Sequence, residues 1–228
     1  MEKSRKKKII PRARAPEKKA EQFNKILEAG KDLFVKYGSH GFSLRALAKR
    51  LNMSQTNVYN YVQSKKELWI AIRIKYYNEF RDGLKKVIDN HQESFYDQFF
   101  KMAEFFLEFA SADYHRFQIM FLLSAPHSNK IGPLEKNYKP FHIMKYISVI
   151  VEKAVDANEI KKKEAIERLY YIYGVLLGAA KVEADLKLRE SVTEPIKLES
   201  YILSAKEYRK FALEQIRDLL QRNIIRNK

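Results

Sequence analysis

The chain has 228 residues, a length that suits one or two domains with a buried core and needs neither metals nor disulfides. Hydrophobic residues make up 46% and charged residues 32%, which excludes a disordered polymer and a membrane-embedded protein. Cysteine is absent, so disulfides, thiolate chemistry and cysteine-ligated metals are excluded, and a cytoplasmic location is favoured. Seven glycines and six prolines argue against sandwiches, barrels and glycine-rich phosphate loops. Composition therefore predicts a helical protein.

The net charge of +16 is concentrated near the start of the chain. Residues 1–66 hold 17 Lys and Arg against 5 Asp and Glu, whereas residues 67–228 hold 27 against 23. This asymmetry indicates a polyanionic partner, either nucleic acid or an anionic membrane surface. A solvated tail that serves only solubility is the alternative. Residues 1–16, rich in Lys and Arg and interrupted by Pro11 and Pro16, are predicted to form a disordered basic arm.

The first periodic segment places apolar residues three and four apart from Phe23 to Tyr37, which predicts a helix that ends at a left-handed Gly38. Ser43 then caps a short helix that runs to residue 51, and Asn52 makes the turn. A second short helix follows Ser54 and runs over about residues 55–62. A capping box at residues 64–67 opens a longer helix to about residue 89. Two short helices around a tight turn, flanked by longer ones, form a helix-turn-helix.

The rest of the sequence predicts further helices and no strand. Their approximate ranges are residues 94–111, 113–124, 133–157, 161–189 and 197–225. An aromatic stripe covers one half of the first of these. The predicted fold class is all-α, with an N-terminal helix-turn-helix domain and a C-terminal helical bundle. The predicted organisation is a basic arm over residues 1–16, a helix-turn-helix domain over 17–66, and a helical domain over 67–228.

A recognition helix reads base edges with its N-terminal side chains while neighbouring residues hold phosphates. Residues 55–57 are Gln, Thr and Asn; Gln and Asn can pair with adenine, and Thr can contact a base or a thymine methyl. Tyr59 suits a phosphate, and Arg45 and Lys65 can clamp the backbone on either side. The candidate DNA contacts are Arg45, Ser54, Gln55, Thr56, Asn57, Tyr59, Asn60, Tyr61 and Lys65. The alternative is that residues 43–62 are merely a compact pair of packing helices.

The segment from Gly38 to Trp69 reads GSHGFSLRALAKRLNMSQTNVYNYVQSKKELW. It resembles the DNA-binding domain of TetR-type transcriptional regulators in its caps, its second-helix core, its recognition helix and the start of its fourth helix. With the flanking helices the resemblance covers about residues 17–85. Two positions depart from the family pattern: Asn52 stands where glycine is usual, and Val62 replaces phenylalanine.

The resemblance implies a homodimer that binds a palindromic operator, with the last two long helices, 161–189 and 197–225, forming the dimer interface. Both are apolar over more than one stripe, and Gly174 and Gly178 would let another helix approach closely. These faces could instead pack only within the subunit.

The resemblance also implies a pocket among the middle helices whose small apolar or aromatic occupant releases the DNA. The candidate wall residues are Phe99, Met102, Phe106, Phe117, Met120, Phe121, His142, Met144 and Tyr170. An aromatic stripe at helical spacing is also what an ordinary core shows.

An enzyme is not expected. The five histidines show no metal-ligand spacing, and no phosphate loop, nucleophile elbow or HExxH motif occurs, so neither catalytic residues nor a metal nor a cofactor is predicted. Membrane-surface binding by the arm is disfavoured because bulky aromatics are not interleaved with its basic residues. The prediction is a cytoplasmic TetR-like regulator, favoured as a repressor. The alternative is an architectural DNA-binding protein that senses no effector.

Overall fold

The computed structural model describes residues 14–90, 94–159, 161–192, 197–198 and 201–221. Along these residues the helices are α1 (Arg14–Tyr37), α2 (Leu44–Arg50), α3 (Gln55–Tyr59), α4 (Lys65–Asn90), α5 (Phe95–Ala112), α6 (Tyr114–Phe117), α7 (Pro133–Asn137), α8 (Ile143–Asp156), α9 (Lys162–Val192) and α10 (Ala205–Gln221). A π-helical turn, Gln118–Leu122, continues α6. The predicted all-α class is confirmed.

The first helix starts earlier than its apolar pattern. Of the predicted basic arm, residues 1–13 lie outside the described residues, but residues 14–16 already belong to α1. Pro16 is tolerated there because the amides of a first helical turn have no partner within the helix. The helix is therefore longer than the stripe from Phe23 to Tyr37, and its first turns are exposed.

The single helix predicted over 133–157 is wrong, because the chain forms α7 and α8 with an extended link between them. Tyr138 has φ −72° and ψ 119°, outside the helical region, and it ends α7. Pro140 lies in the link, where it has no amide to donate and disfavours a helical conformation in the residue before it. The break separates Met144, on α8, from the residues of α7.

The start of the last helix was also predicted too early. Instead of a helix from residue 197, an antiparallel ribbon pairs β1 (Lys197–Leu198) with β2 (Tyr201–Ile202), in the register Lys197 to Ile202 and Leu198 to Tyr201. Helix α10 begins only after Ser204, whose hydroxyl accepts a hydrogen bond from the amide of Glu207 at 3.2 Å. The Glu207 carboxylate accepts the Ser204 amide at 3.0 Å in return. This capping box fixes the helix start.

The chain divides into two compact units. The first comprises residues up to Lys75 together with Gln118–Tyr138, and residues 118–138 are called the strap below. The second comprises Tyr76–Phe117 and the residues from Lys139 onward. The boundaries of the predicted functional domains remain predictions.

Each unit has its own core. In the first, α1, α2, α3 and the start of α4 bury their apolar residues, and the π-helical turn packs on α1. In the second, α5 packs against α9 and α10, and the aromatic stripe on α5 is buried as predicted. Phe80 lies with its ring centroid 5.0 Å from Phe109 in an edge-on contact. In the described part of the chain, no helix is both long and apolar enough to cross a membrane.

Candidate functional site

Serine caps fix the starts of α2, α3 and α4. The hydroxyl of Ser43 accepts a hydrogen bond from an amide in the first turn of α2 at 3.2 Å, and Ser54 accepts the Asn57 amide at the same distance. Ser64 accepts the amide of Glu67 at 3.1 Å. Each cap supplies an acceptor for an amide that has no partner within its helix, so the sequence alone sets where the helices begin.

Left-handed residues set the two bends that frame the motif. Gly38 has φ +66° and ends α1, and Asn52 has φ 51° in the turn between α2 and α3. Both were predicted. Asn52 replaces the family's usual glycine at small cost because a short polar side chain tolerates this region of the backbone map. The substitution leaves the turn intact.

Helix α3, the predicted recognition helix, has one buried side and one exposed side. Val58 and Val62 are fully buried, so the valine in place of the family's phenylalanine still closes the core. Residues 55–57 are exposed, as are Asn60 and the ring of Tyr59. The amide and hydroxyl side chains that could read base edges therefore face away from the core.

The two flanking cations differ in their surroundings. Arg45 is exposed on α2. The ammonium of Lys65 donates a hydrogen bond to the carbonyl of Ser39 at 2.9 Å and lies 5.5 Å from the ring centroid of Phe42. An ammonium has three protons to donate, so Lys65 can hold a phosphate oxygen and this carbonyl together.

Tyr61 is the candidate DNA contact that packs most closely on the protein. Its ring stacks on Phe23 of α1, with centroids 5.7 Å apart and planes 13° from parallel. Packing on α1 is thus one role of Tyr61.

The largest feature missed from the sequence is a buried carboxylate that joins α4 to the strap. Glu67 is 1% exposed. One of its oxygens accepts the amide of Gln63 at 2.7 Å and the other accepts the amide of Leu134 at 2.8 Å. Gly132 lies so close that a Cβ there would be 2.0 Å from the carboxylate carbon. The capping-box pattern predicted the helix start, but no local signal could reveal a partner 67 residues away.

Further contacts attach the strap to the same unit. The Ser39 hydroxyl donates to the carbonyl of Ser124 at 2.8 Å, and Lys66 pairs with Glu135. Since Ser39 also accepts from Lys65, the strap, the end of α1 and the start of α4 form one hydrogen-bonded group.

Comparison with known proteins agrees with this geometry. Residues 26–72 match the family model of bacterial regulatory proteins, tetR family. The family match covers residues 26–72, which therefore form a tetR-type domain. The match spans α2, α3, the turn between them and the start of α4. The matched family model describes regulatory proteins, in keeping with the expectation that the chain is not an enzyme.

Individual relatives extend the comparison in two ways. An HTH-type transcriptional regulator of Mycobacterium bovis is 35% identical over 66 residues, which are 29% of this chain and 28% of that protein. A proposed tetR family transcription regulator from Shewanella sp. PV-4 has a TM-score of 0.61 at 17% identity, covering 86% of this chain and 96% of that one. A proposed fatty acid metabolism regulator of Clostridium perfringens has a TM-score of 0.60 at 15% identity, covering 85% and 97%. The sequence relative matches less than a third of the chain, whereas the two structures share the fold over about 85% of it.

The residues proposed to line an effector pocket do not form one wall. Phe99, Met102 and Phe106 line an apolar cavity of about 30 Å³ in the second unit, together with residues of α4, α8 and α9. A cavity of this size holds about one water molecule. These three aromatic and thioether side chains are therefore packed core in the present conformation.

A larger hollow lies between α8 and α9 and has a volume of about 350 Å³. Met144 and Tyr170 from the predicted set line it. It is called the α8–α9 groove below. Its full lining is Met144, Ser148, Val151, Glu152, Val155, Asp156, Ile166, Leu169 and Tyr170.

The other predicted wall residues lie elsewhere. Phe117 is fully buried in the second unit, and His142 is exposed before α8. Met120 and Phe121 belong to the strap and so to the first unit. Among the described residues, no group of three His, Asp or Glu side chains could hold a metal ion.

Proposed function

We propose that the chain is a transcriptional regulator that binds a palindromic operator as a homodimer and is released by a small apolar effector. The observation that carries the proposal is the exposed polar face of α3, opposite the buried Val58 and Val62, inside a tetR-family domain. The proposed location is the cytoplasm, where such a DNA-binding regulator would act. The proposed effect on transcription is repression.

The proposed DNA contacts divide by chemistry. Residues 55–57 would reach base edges in the major groove, where amide side chains discriminate adenine. Arg45, Tyr59 and Lys65 would hold phosphates on either side of α3, with the N-terminal amides of α4 adding to anion binding. Ser54 supports this arrangement as the cap, and Asn60 and Tyr61 lie at the end of α3.

The dimer surface is best supported by one face of α9. A Cβ built on Gly174 or Gly178 meets no atom within 4 Å, so this face is open. Tyr171 and Val182 are exposed on the same side of the helix, and Phe211 is exposed on α10. By contrast, Leu169, Leu176 and Ala180 on α9 and Ala205, Ala212 and Ile216 on α10 are buried within the subunit. A second copy is therefore expected on the glycine face.

The decisive experiment is selection of bound sequences from a random duplex pool, followed by footprinting. Tyr59→Ala and Lys65→Ala should each weaken binding to all sequences, and Lys65→Ala should lower the salt slope by about 0.9. Asn57→Ala should relax preference at one base pair, at a cost of about 1–3 kcal/mol in discrimination. Unchanged affinity and preference in all three variants would refute the assignment.

The second candidate is an architectural DNA-binding protein, favoured by the basic N-terminal residues. Such a protein would coat duplex DNA evenly, without a discrete protected palindrome. A regulator protects one site per dimer, with half-sites about 34–36 Å apart or a multiple of that distance. The footprint distinguishes the two.

A further inference from the structure

The α8–α9 groove has the size and the lining of a small-molecule site. Its volume of about 350 Å³ lies at the lower end of the range for ligand pockets, and most of its lining side chains are apolar. Val151 and Leu169 are buried at its base, while Tyr170 is 60% exposed at its edge. An apolar ligand could cover these side chains without displacing either helix.

The groove also carries negative charge on one helix. Glu152 and Asp156 both line the groove and are both exposed. They are four residues apart on α8, so they are neighbours on one helix face with Cβ atoms about 6 Å apart. The chain as a whole has a net charge of +16, so its long-range field attracts anions. A site whose described charged lining is acidic opposes that field and complements a cation.

Leu169 connects the groove to the aromatic core. It lines both the groove and the cavity of about 30 Å³ formed by Phe99, Met102 and Phe106. It is the only described residue that lines both. The groove and the core cavity therefore share one wall at Leu169.

We propose that the α8–α9 groove binds an amphiphilic cation, with its charged head at Glu152 and Asp156 and its apolar chain directed past Leu169 towards Phe106. The role of this ligand as an effector rests on the proposed function, but its binding does not. At about 100° per residue, Leu169 at the base of the groove is roughly opposite Gly174 and Gly178, whereas Tyr170 at its edge lies one turn before Gly174 on the side of the glycine face. A second copy on that face would therefore border the groove at Tyr170.

The test is titration calorimetry on the full chain without DNA, using alkyltrimethylammonium ions below their critical micelle concentrations. Decyltrimethylammonium should bind more tightly than decyl sulfate, although non-specific attraction to this basic chain favours the sulfate. Affinity should rise with chain length from hexyl to decyl by up to about fourfold per methylene. Circular dichroism confirms that the protein stays folded at each concentration.

Two variants locate the site. Glu152→Gln with Asp156→Asn should lower the affinity for decyltrimethylammonium about tenfold, as expected for two partly exposed carboxylates. Glu104→Gln with Glu108→Gln, a pair of the same spacing on α5 with the same change in charge, should leave the affinity unchanged. Leu169→Phe, which enlarges the side chain at the shared wall, should flatten the dependence on chain length and retain the preference for the cation.

Equal binding of the cation and the sulfate, or equal losses in the α8 and α5 double variants, would overturn the proposal. Occupation of the groove by a second copy would appear as dissociation of the oligomer by the ligand, and this also would overturn it. A chain that binds the cation as described but selects no DNA sequence would refute the proposed function and leave the groove as a binding site. Operator binding with no preference for the cation would refute the groove as a cation site and leave the proposed function standing.

Discussion

Replacing Glu67 by glutamine tests whether the strap is held to α4 by a buried carboxylate. The two oxygens of Glu67 accept amides at 2.7 and 2.8 Å. A carboxamide has one oxygen, so one of these amides would face an NH2 group instead of an acceptor. A hydrogen bond to a charged group contributes about 1.5–3 kcal/mol, and an unsatisfied buried donor costs about 1–3 kcal/mol. Relief of the carboxylate's desolvation offsets part of this, so we expect a loss of about 2–4 kcal/mol.

Thermal unfolding followed by circular dichroism measures this loss, and amide hydrogen exchange locates it. At about 2–4 °C per kcal/mol for a chain of this size, the Tm should fall by roughly 4–16 °C. Exchange should accelerate in peptides that contain Gln63 and Leu134. The control is Asp32→Asn, which removes a carboxylate paired with Arg50 at 2.8 Å on the surface of the same unit. That pair should contribute less than about 1 kcal/mol. Equal Tm values for the two variants would refute the reasoning.

Three other perturbations probe different parts of the chain. Arg209→Leu should destabilise the second unit by about 1.5–3 kcal/mol in urea unfolding, because Glu183, 4% exposed, loses a bidentate partner and keeps, among the described residues, only Lys187 at 3.3 Å. Leucine at both positions should restore most of the loss. Burial, and then the charge of Asp185, raises the pKa of Tyr114 to about 12. The unfolded state therefore ionises first, and the free energy of unfolding falls above pH 10. Tyr114→Phe should lessen that fall, and an unchanged dependence of stability on pH above 10 would contradict the prediction. Deleting residues 1–13, which carry six Lys and Arg, should reduce the salt slope of DNA binding by about four, and an unchanged slope would show that they contact no phosphate.

The helix-turn-helix could be predicted from sequence because its determinants are local. Each serine cap acts within three residues, and the left-handed conformations of Gly38 and Asn52 depend on the residue itself. Val58 is buried on the inner face of α3, whose other side is polar, and Val62 is buried after the helix ends at Tyr59, earlier than the predicted residue 62. Local rules of this kind set helix limits to within a few residues.

The second unit was predicted less well because the apolar spacing of a helix does not show which other helices its buried face contacts. The stripe on α5 fixed which side is buried, but not whether the buried side lines a pocket or a packed core. Pro140 and Ser204 are local signals for the break after α7 and for the start of α10. Both were missed because apolar spacing continues across the break and across the ribbon. The cavity beside Phe99 is small because side chains from four helices converge on it, and sequence spacing contains no such information.

Both units also contain a buried carboxylate that joins distant parts of the chain, and neither partner was predictable. Glu67 accepts two backbone amides at the strap, while Glu183 pairs with an arginine on the next helix. The two solutions respond differently to substitution. Backbone amides cannot be removed by changing a side chain. An apolar residue in place of Glu67 would therefore leave two buried amide donors unsatisfied. The Glu183 pair can be replaced on both sides by apolar groups. The backbone amides that Glu67 accepts therefore require a carboxylate at this position, whereas the Glu183 pair can be replaced.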